Sequence, residues 1–360
     1  AGRDPRGEYV MIRSEVLSLI DRAEGGADLT RDELACLLSL EGEEQQALFA
    51  AADRVRARTM GDGVHLRGLI EFSNICRMDC HYCGIRRSNR HVRRYRMAPE
   101  EIVAAARGAH RLGYGSVVLQ SGEGDALDPE ELAGVVRAIK ATTPLAVTLS
   151  VGERTREEYA LWKAAGADRF LLRHETADPE LFARLRPGRR LEQRVQCLLW
   201  LRELGYQVGS GFMVGLPGQT VETIADDILL LKKLNVEMAG IGPFIPAPHT
   251  PLEDAAAGTV DQTLNAVACV RLTIQDAHVP ATTALGSIHP RGRQLALACG
   301  ANVIMPNVTP GKYRIHYQLY PNKICLREEP EQCAPCVAAL ILGEGRFVAT
   351  GPGHSPRWTA

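Results

Sequence analysis

Leu69-Ile70-Glu71-Phe72-Ser73-Asn74-Ile75-Cys76-Arg77-Met78-Asp79-Cys80-His81-Tyr82-Cys83 runs from an apolar stretch directly into three cysteines. The apolar part, 66–72, is short, carries branched and aromatic residues and ends at Ser-Asn, which reads as a buried strand entering a loop. Working outward, the succession of strand, turn and helix repeats. Further strand candidates lie at 115–120, 145–151, 168–173, 206–214, 236–245, 280–285 and 301–305. Helix-length segments with charged faces separate most of them, at 99–112, 129–140, 155–165, 191–204, 220–234 and 260–277. Eight buried strands alternating with helices predict an α/β protein, a parallel sheet closed into a complete (β/α)8 TIM-type barrel over 64–305. An open partial barrel of six strands is the alternative.

Flanking segments complete the layout. Residues 8–58 read as an N-terminal helical extension, with Val16, Leu17 and Ile20, then Leu34, Leu37 and Leu38, at helical spacing and Thr30–Glu33 as a capping box. Residues 306–360 form a C-terminal extension expected to wrap over one barrel mouth.

Composition narrows the class. The chain has 360 residues, 45% of them apolar, and a formal net charge of −1. That balance gives no electrostatic case for nucleic acid or an anionic membrane as the main partner. No apolar run reaches the roughly 20 residues that span a bilayer, and the N-terminus, with Arg3, Asp4, Arg6 and Glu8, lacks the apolar stretch of a signal peptide. A cytosolic (cytoplasmic) location is the expectation. Ten cysteines in a large chain of that kind point to metal ligation rather than disulfides. Six fall in two groups, Cys76, Cys80, Cys83 and Cys325, Cys333, Cys336, whereas Cys36, Cys197, Cys269 and Cys299 sit singly in apolar, helix-like surroundings and read as core.

The first group, C-x3-C-x2-C, follows the first strand, and barrel active sites lie at the C-terminal ends of strands. Its three thiolates therefore belong in the catalytic mouth. Most cubane iron–sulfur clusters take four cysteine ligands, so three on one loop leave one iron open. Zinc with His81 as fourth ligand is the competing reading, but structural zinc sites pair two separated doublets. The spacing, with Tyr82 just before the last cysteine, resembles the radical S-adenosylmethionine (SAM) pattern. There the amino and carboxylate groups of SAM chelate the open iron of a 4Fe–4S cluster, and one electron cleaves a carbon–sulfur bond to give a 5′-deoxyadenosyl radical.

Beyond the motif, long strings resemble one family, HydE, the radical SAM maturases of FeFe-hydrogenase. They include LIEFSNICRMDCHYCGIRR (69–87), YRMAPEEIV (95–103), VVLQSGE (117–123), DRFLLRHET (168–176), MVGLPGQT (213–220), GIGPFIPAPHTPL (240–252), PATTALG (280–286), ANVIMPN (301–307) and YQLYPNKIC (317–325). Methylornithine synthase and biotin synthase share the early motif but match these strings less well. The resemblance implies that Ser121, Glu123, Ser150, Glu175 and Arg194, with Tyr82, contact SAM. An arginine suits a carboxylate through paired hydrogen bonds; a solvated helix charge is the plain alternative for Arg194. It further implies that Gln120, Thr148, Arg173, Thr282, Thr283, Met305, Tyr317 and Tyr320 line a substrate cavity. Thr148 and Met305 also fit plain core. The implied substrate is a small organometallic one, a cysteine-ligated iron carbonyl–cyanide synthon delivered by the tyrosine lyase HydG and passed toward the scaffold GTPase HydF. Where HydE proteins carry them, Cys325, Cys333 and Cys336 hold a second iron–sulfur cluster, 2Fe–2S or 4Fe–4S; unoccupied thiols are the alternative. The stretch at 213–220 lacks the lysine of a phosphate-binding Walker loop, and its glycines are expected to lie beside adenine. Two other functions remain open: a radical SAM mutase or sulfur-inserting enzyme acting on an amino-acid-like substrate, and a metal-binding protein without catalysis.

Overall fold

The computed structural model describes residues 12–124 and 127–358, so the first residues of the expected 8–58 extension and the charged N-terminal residues lie outside it. Three helices open the chain, α1 (Ser14–Glu24), α2 (Arg31–Leu38) and α3 (Gly42–Met60). The capping box is present: Thr30 accepts from the Glu33 backbone and Glu33 from the Thr30 backbone. Strands β1 (Gly63–Ser73), β2 (Ser116–Ser121), β3 (Ala146–Ser150), β4 (Arg169–Leu171), β5 (Gln207–Val214) and β6 (Met238–Pro243) then alternate with helices α4 (Pro99–Arg111), α5 (Pro129–Thr142), α6 (Arg156–Ala164), α7 (Pro179–Leu185), α8 (Leu191–Glu203), α9 (Val221–Lys233) and α10 (Val260–Thr273). After these come α11 (Thr283–Ile288), α12 (Gly292–Ala298), β7 (Val303–Ile304), α13 (Gly311–Arg314), α14 (Pro330–Gly343) and β8 (Phe347–Val348).

Seven of the strands form a parallel sheet in the order β6-β5-β4-β3-β2-β1-β7, with β8 added beside the start of β1. Nearly every residue of β1 is buried, as expected for strands covered by helices on one face and barrel contents on the other. Leu119, Phe170, Val208, Phe212 and Ile241 are all buried within the same core.

The complete eight-stranded barrel is not what forms; the sheet is a partial barrel of seven strands. The expected strand at 280–285 is irregular. His278 bridges Met238, and Pro280 bridges Val303, so the step from β6 to β7 is spanned by single bridges rather than a ladder. Proline cannot donate to a ladder, and Thr282 caps α11, accepting from the Leu285 backbone at 3.4 Å, so the chain turns helical at Thr283. The C-terminal extension does not stay at one mouth. Residues 317–320 reach the cysteine loop, where Gly84 donates to the Leu319 carbonyl at 2.8 Å. Residues 352–355 instead meet Arg169 and Gln207 at the opposite ends of β4 and β5.

Candidate active site

The ladder between β1 and β2 shifts register between Glu71 and Ser73. Such an irregularity bends the strand where it leaves the sheet, and the cysteines follow at once. The loop is held by side chains. Asn74 accepts from the Tyr95 backbone at 2.8 Å, and Arg94 donates to the carbonyls of Asn74, Ile85 and Arg86 at 2.7, 2.8 and 2.6 Å. Arg94 and Tyr95 thus clamp the loop.

Cys76, Cys80 and Cys83 share a cavity of about 330 Å³ in the mouth of the sheet. Burial pushes all three thiols above their ordinary pKa, with the neighbouring cysteines adding to the effect on Cys83. Unaided, they stay protonated; a polycationic group seated among them supplies what their ionisation requires.

One wall of the cavity is a charged lattice around Glu123. Its carboxylate lies 3.2 Å from Arg186, 3.4 Å from Arg189 and 3.5 Å from Arg194. Burial pushes Glu123 up, but Arg194, Arg186 and Arg189 outweigh it and hold the carboxyl below its ordinary value. Arg194 also lies 2.8 Å from Glu153, with its side chain 4% exposed, so it is no solvated helix charge. Arg186 donates to the Tyr82 hydroxyl at 3.0 Å, tying the lattice to the cysteine loop. The glycines of this region make room. A Cβ on Gly122 would fall 2.4 Å from the Ile75 carbonyl oxygen, and one on Gly152, whose φ is +79°, would fall 2.2 Å from Glu123 Cγ.

Deeper in, Arg173 and Glu175 approach to 3.2 Å. The contact is off the N–H direction, so Arg173 Nε and Nη2, Glu175 Oε2 and Thr148 Oγ1 are buried without a hydrogen-bond partner. Orphaned buried polar atoms are costly, and here they face one cavity. Glu175 has φ +70°, a strained conformation of the kind that marks ligand clamps. It is braced from behind by neutral His174, whose ring lies 3.0 Å from Ser210 and 3.3 Å from Asp227. Burial lowers the His174 pKa to about 3 and raises that of Asp227.

Every expected SAM-contacting residue lies on this cavity: Tyr82, Ser121, Glu123, Ser150, Glu175 and Arg194. Of the expected substrate residues, Gln120, Thr148, Arg173, Thr282, Met305, Tyr317 and Tyr320 line it as well. Thr283 does not, because it begins α11 while Thr282 faces the cavity. Gln120 donates to the Tyr317 hydroxyl at 3.2 Å. Tyr317 is held in turn by Lys323, which donates to its carbonyl at 3.3 Å and is ion-paired with buried Glu71.

Sequence reasoning missed Arg186, Arg189, Glu153, Glu71 and Lys323. The run Arg186-Pro187-Gly188-Arg189-Arg190 carried a signal, as clustered arginines in an otherwise neutral chain. The glycines at 213–220 do not face the cavity. A Cβ on Gly215 would meet Gly258 Cα at 2.3 Å and one on Gly218 would meet Arg184 Nη2 at 2.7 Å, so they let protein segments approach one another. Cys197, Cys269 and Cys299 are buried, and Cys36 packs against the same core. In the tail, Cys333 contacts Cys325 and its pKa is raised by burial to about 11, while Cys336 is exposed. Among the described residues no helix is long and apolar enough to cross a membrane.

Comparison with known proteins agrees with this geometry. The radical SAM superfamily pattern matches residues 70–231. The "[FeFe] hydrogenase maturase subunit HydE" of Thermotoga maritima is 51% identical over 337 residues, 93% of this chain and 95% of that protein. A crystal structure of methylornithine synthase (PylB) superposes with a TM-score of 0.82 at 27% identity, over 92% of this chain and 97% of the other. The structure of HydG from Carboxydothermus hydrogenoformans superposes at 0.77 with 19% identity, over 93% and 79%, a likeness of fold. Membership of the superfamily implies a 4Fe–4S cluster and SAM, and three thiols sharing one cavity with the orphaned charges of Arg173 and Glu175 fit both. Thiol loop, charged wall and near full-length identity converge: the chain is a radical SAM enzyme and belongs to the HydE family of FeFe-hydrogenase maturases.

Proposed function

We propose that this enzyme acts in assembly of the diiron subcluster of FeFe-hydrogenase, on a cysteine-ligated iron carbonyl–cyanide synthon supplied by HydG and passed on toward HydF. The near full-length identity to a hydrogenase maturase carries the reading. When bound, the cluster and SAM supply a carbon-centred radical. The chain's own residues bind, orient and shield. Cys76, Cys80 and Cys83 hold the cluster and leave one iron to SAM. Glu123, fixed by three arginines, accepts from the SAM ammonium, while Arg194 donates toward the carboxylate. Ser121, Ser150, Glu175 and Tyr82 complete that pocket. Arg173, Thr148, Gln120, Thr282 and Tyr317 grip the polar part of the substrate, and Met213, Phe244 and Leu319 keep water from the reacting carbon. Tyr320 and Met305 complete the wall; Thr283 is dropped from the set.

The test is turnover of a synthetic cysteine-ligated iron carbonyl–cyanide complex under reducing conditions, followed by mass spectrometry. The proposed outcome is addition of the adenosyl carbon to the substrate sulfur with cleavage of one of that sulfur's existing bonds, giving a product with a new adenosyl carbon–sulfur bond. Release of 5′-deoxyadenosine with no adduct, or rearrangement of a free amino acid, would move the assignment to a mutase.

The tail cysteines are proposed to hold a second, peripheral cluster, since Cys325 and Cys333 already touch. Cys333→Ser is expected to lower the iron content while SAM cleavage and maturation persist. Loss of maturation in that variant, with the first cluster intact, would make the second cluster part of the reaction instead.

A further inference from the structure

The cysteine loop has an outer face as well as an inner one, and that face is cationic. From Arg77 to Arg96 the chain carries seven arginines against one acid, Asp79, although its overall net charge is −1. Asp79 is engaged by Arg86 at 2.8 Å and by the Ser88 hydroxyl at 2.5 Å. Arg94 is turned inward onto backbone carbonyls. Arg77, Arg87, Arg90 and Arg93 are exposed, and among the described residues none of their side chains has an ion-pair or hydrogen-bond partner.

Backbone contacts place these arginines beside the thiols. The Arg87 N–H donates to the Met78 carbonyl at 2.8 Å, inside the cysteine loop. Asn74, two residues before Cys76, donates to the carbonyls of Arg93 at 2.8 Å and His316 at 2.7 Å. Ile75 and Ile315, the chain neighbours of the two groups joined there, are 41% and 42% exposed. Exposed isoleucines together with unpaired guanidinium groups have the make-up of a protein interface, where arginine is enriched and polar and apolar surface are mixed. Self-repulsion among such groups stabilises nothing in the fold. Tyr95 is buried and Tyr82 faces the cavity, and the exposed ring of His91 is already stacked on His249 at 3.9 Å, so no tyrosine, phenylalanine or tryptophan ring of this segment is offered to a base, which disfavours single-stranded nucleic acid.

Each SAM cleaved consumes one electron. The inner side of the loop faces the cavity that SAM and substrate fill, so the electron has to arrive through the outer side. We infer that the face formed by Arg87, Arg90, Arg93, Ile75 and Ile315 docks a small acidic one-electron carrier protein that reduces the cluster. The inference rests on the radical SAM reading. The electrons balance: the carrier is oxidised by one electron, the cluster relays it, and it enters the carbon–sulfur bond of SAM. That bond breaks to leave a neutral methionine thioether and an adenosyl carbon radical.

The test uses the reconstituted full chain, reduced ferredoxin as an acidic probe and photoreduced deazaflavin as a small reductant. In the triple variant Arg87→Glu/Arg90→Glu/Arg93→Glu, the ferredoxin dissociation constant at low salt should rise at least about tenfold, the scale of electrostatic steering. Ferredoxin-driven SAM cleavage below saturation should fall in step, deazaflavin-driven cleavage should hold, and the salt dependence of binding should flatten. The Arg→Lys triple variant should keep most of the affinity. Unchanged ferredoxin affinity in the Glu variant would overturn the inference. So would equal loss with both reductants, which would place the arginines in loop architecture, or loss of binding to a single-stranded RNA oligonucleotide with ferredoxin binding retained. Failure of deazaflavin to drive SAM cleavage by the unsubstituted chain would instead count against the radical SAM reading, and the binding measurement would still decide the docking face.

Discussion

Cys80→Ser should strip the protein of its active-site iron and reduce SAM cleavage to background while the fold persists. Cys80 is the middle ligand of the loop and the most buried of the three, 7% exposed. Removing a residue that only orients a metal ligand costs about 10–100-fold in affinity or activity, and removing a ligand itself has to exceed that. A serine hydroxyl cannot replace the thiolate, because a soft anion is what an iron–sulfur group takes. The loop's anchors, Arg94 and Asn74, do not depend on the Cys80 side chain, so circular dichroism and melting should change little. Full SAM cleavage by this variant would refute the assignment of the loop.

Arg194→Ala should weaken both SAM binding and the fold. A charge-assisted hydrogen bond to the SAM carboxylate is worth about 1.5–3 kcal/mol, which is roughly a 10- to 150-fold rise in the dissociation constant. The sequence suggests that stability would be indifferent to this residue; its burial against Glu123 and Glu153 says otherwise. Breaking a buried pair costs about 3–5 kcal/mol when the partner is stranded. Here the cost should lie near about 2–3 kcal/mol, because Arg186 and Arg189 still cover Glu123 and Arg189 lies 3.6 Å from Glu153. Adding Glu153→Gln should recover part of the stability but none of the SAM affinity. A stability loss with an unchanged dissociation constant would leave Arg194 a purely structural residue.

The parts of the site that were legible in the sequence are those written locally. The C-x3-C-x2-C spacing is contiguous, and the resemblance, carried by contiguous strings at the strand ends such as VVLQSGE and DRFLLRHET, named Glu123 and Glu175, which lie on the cavity. Partnership across the chain was not legible. Nothing local to Arg186 says that it meets Glu123 at a separation of 63 residues, or that Lys323 reaches Glu71 across 252. The fold shows the same division. Six strands of three to eleven residues, from β1 to β6, carry continuous apolar patterns and were readable. The step from β6 to β7 was not, because a strand was expected over 280–285, whereas the bridges fall at His278 and Pro280 and the Thr282 cap starts a helix. Thr283 was named with Thr282 through the resemblance; the helix that begins at Thr283 leaves only Thr282 on the cavity.

The central claim, a site-differentiated cluster whose open iron takes SAM, is tested most directly by electron paramagnetic resonance of the reduced, reconstituted protein before and after SAM is added. The prediction is a reduced 4Fe–4S signal that changes shape on SAM addition and is absent from Cys80→Ser. A reduced 4Fe–4S signal that SAM leaves unaltered would mean that no iron is open to it, and the account would be wrong.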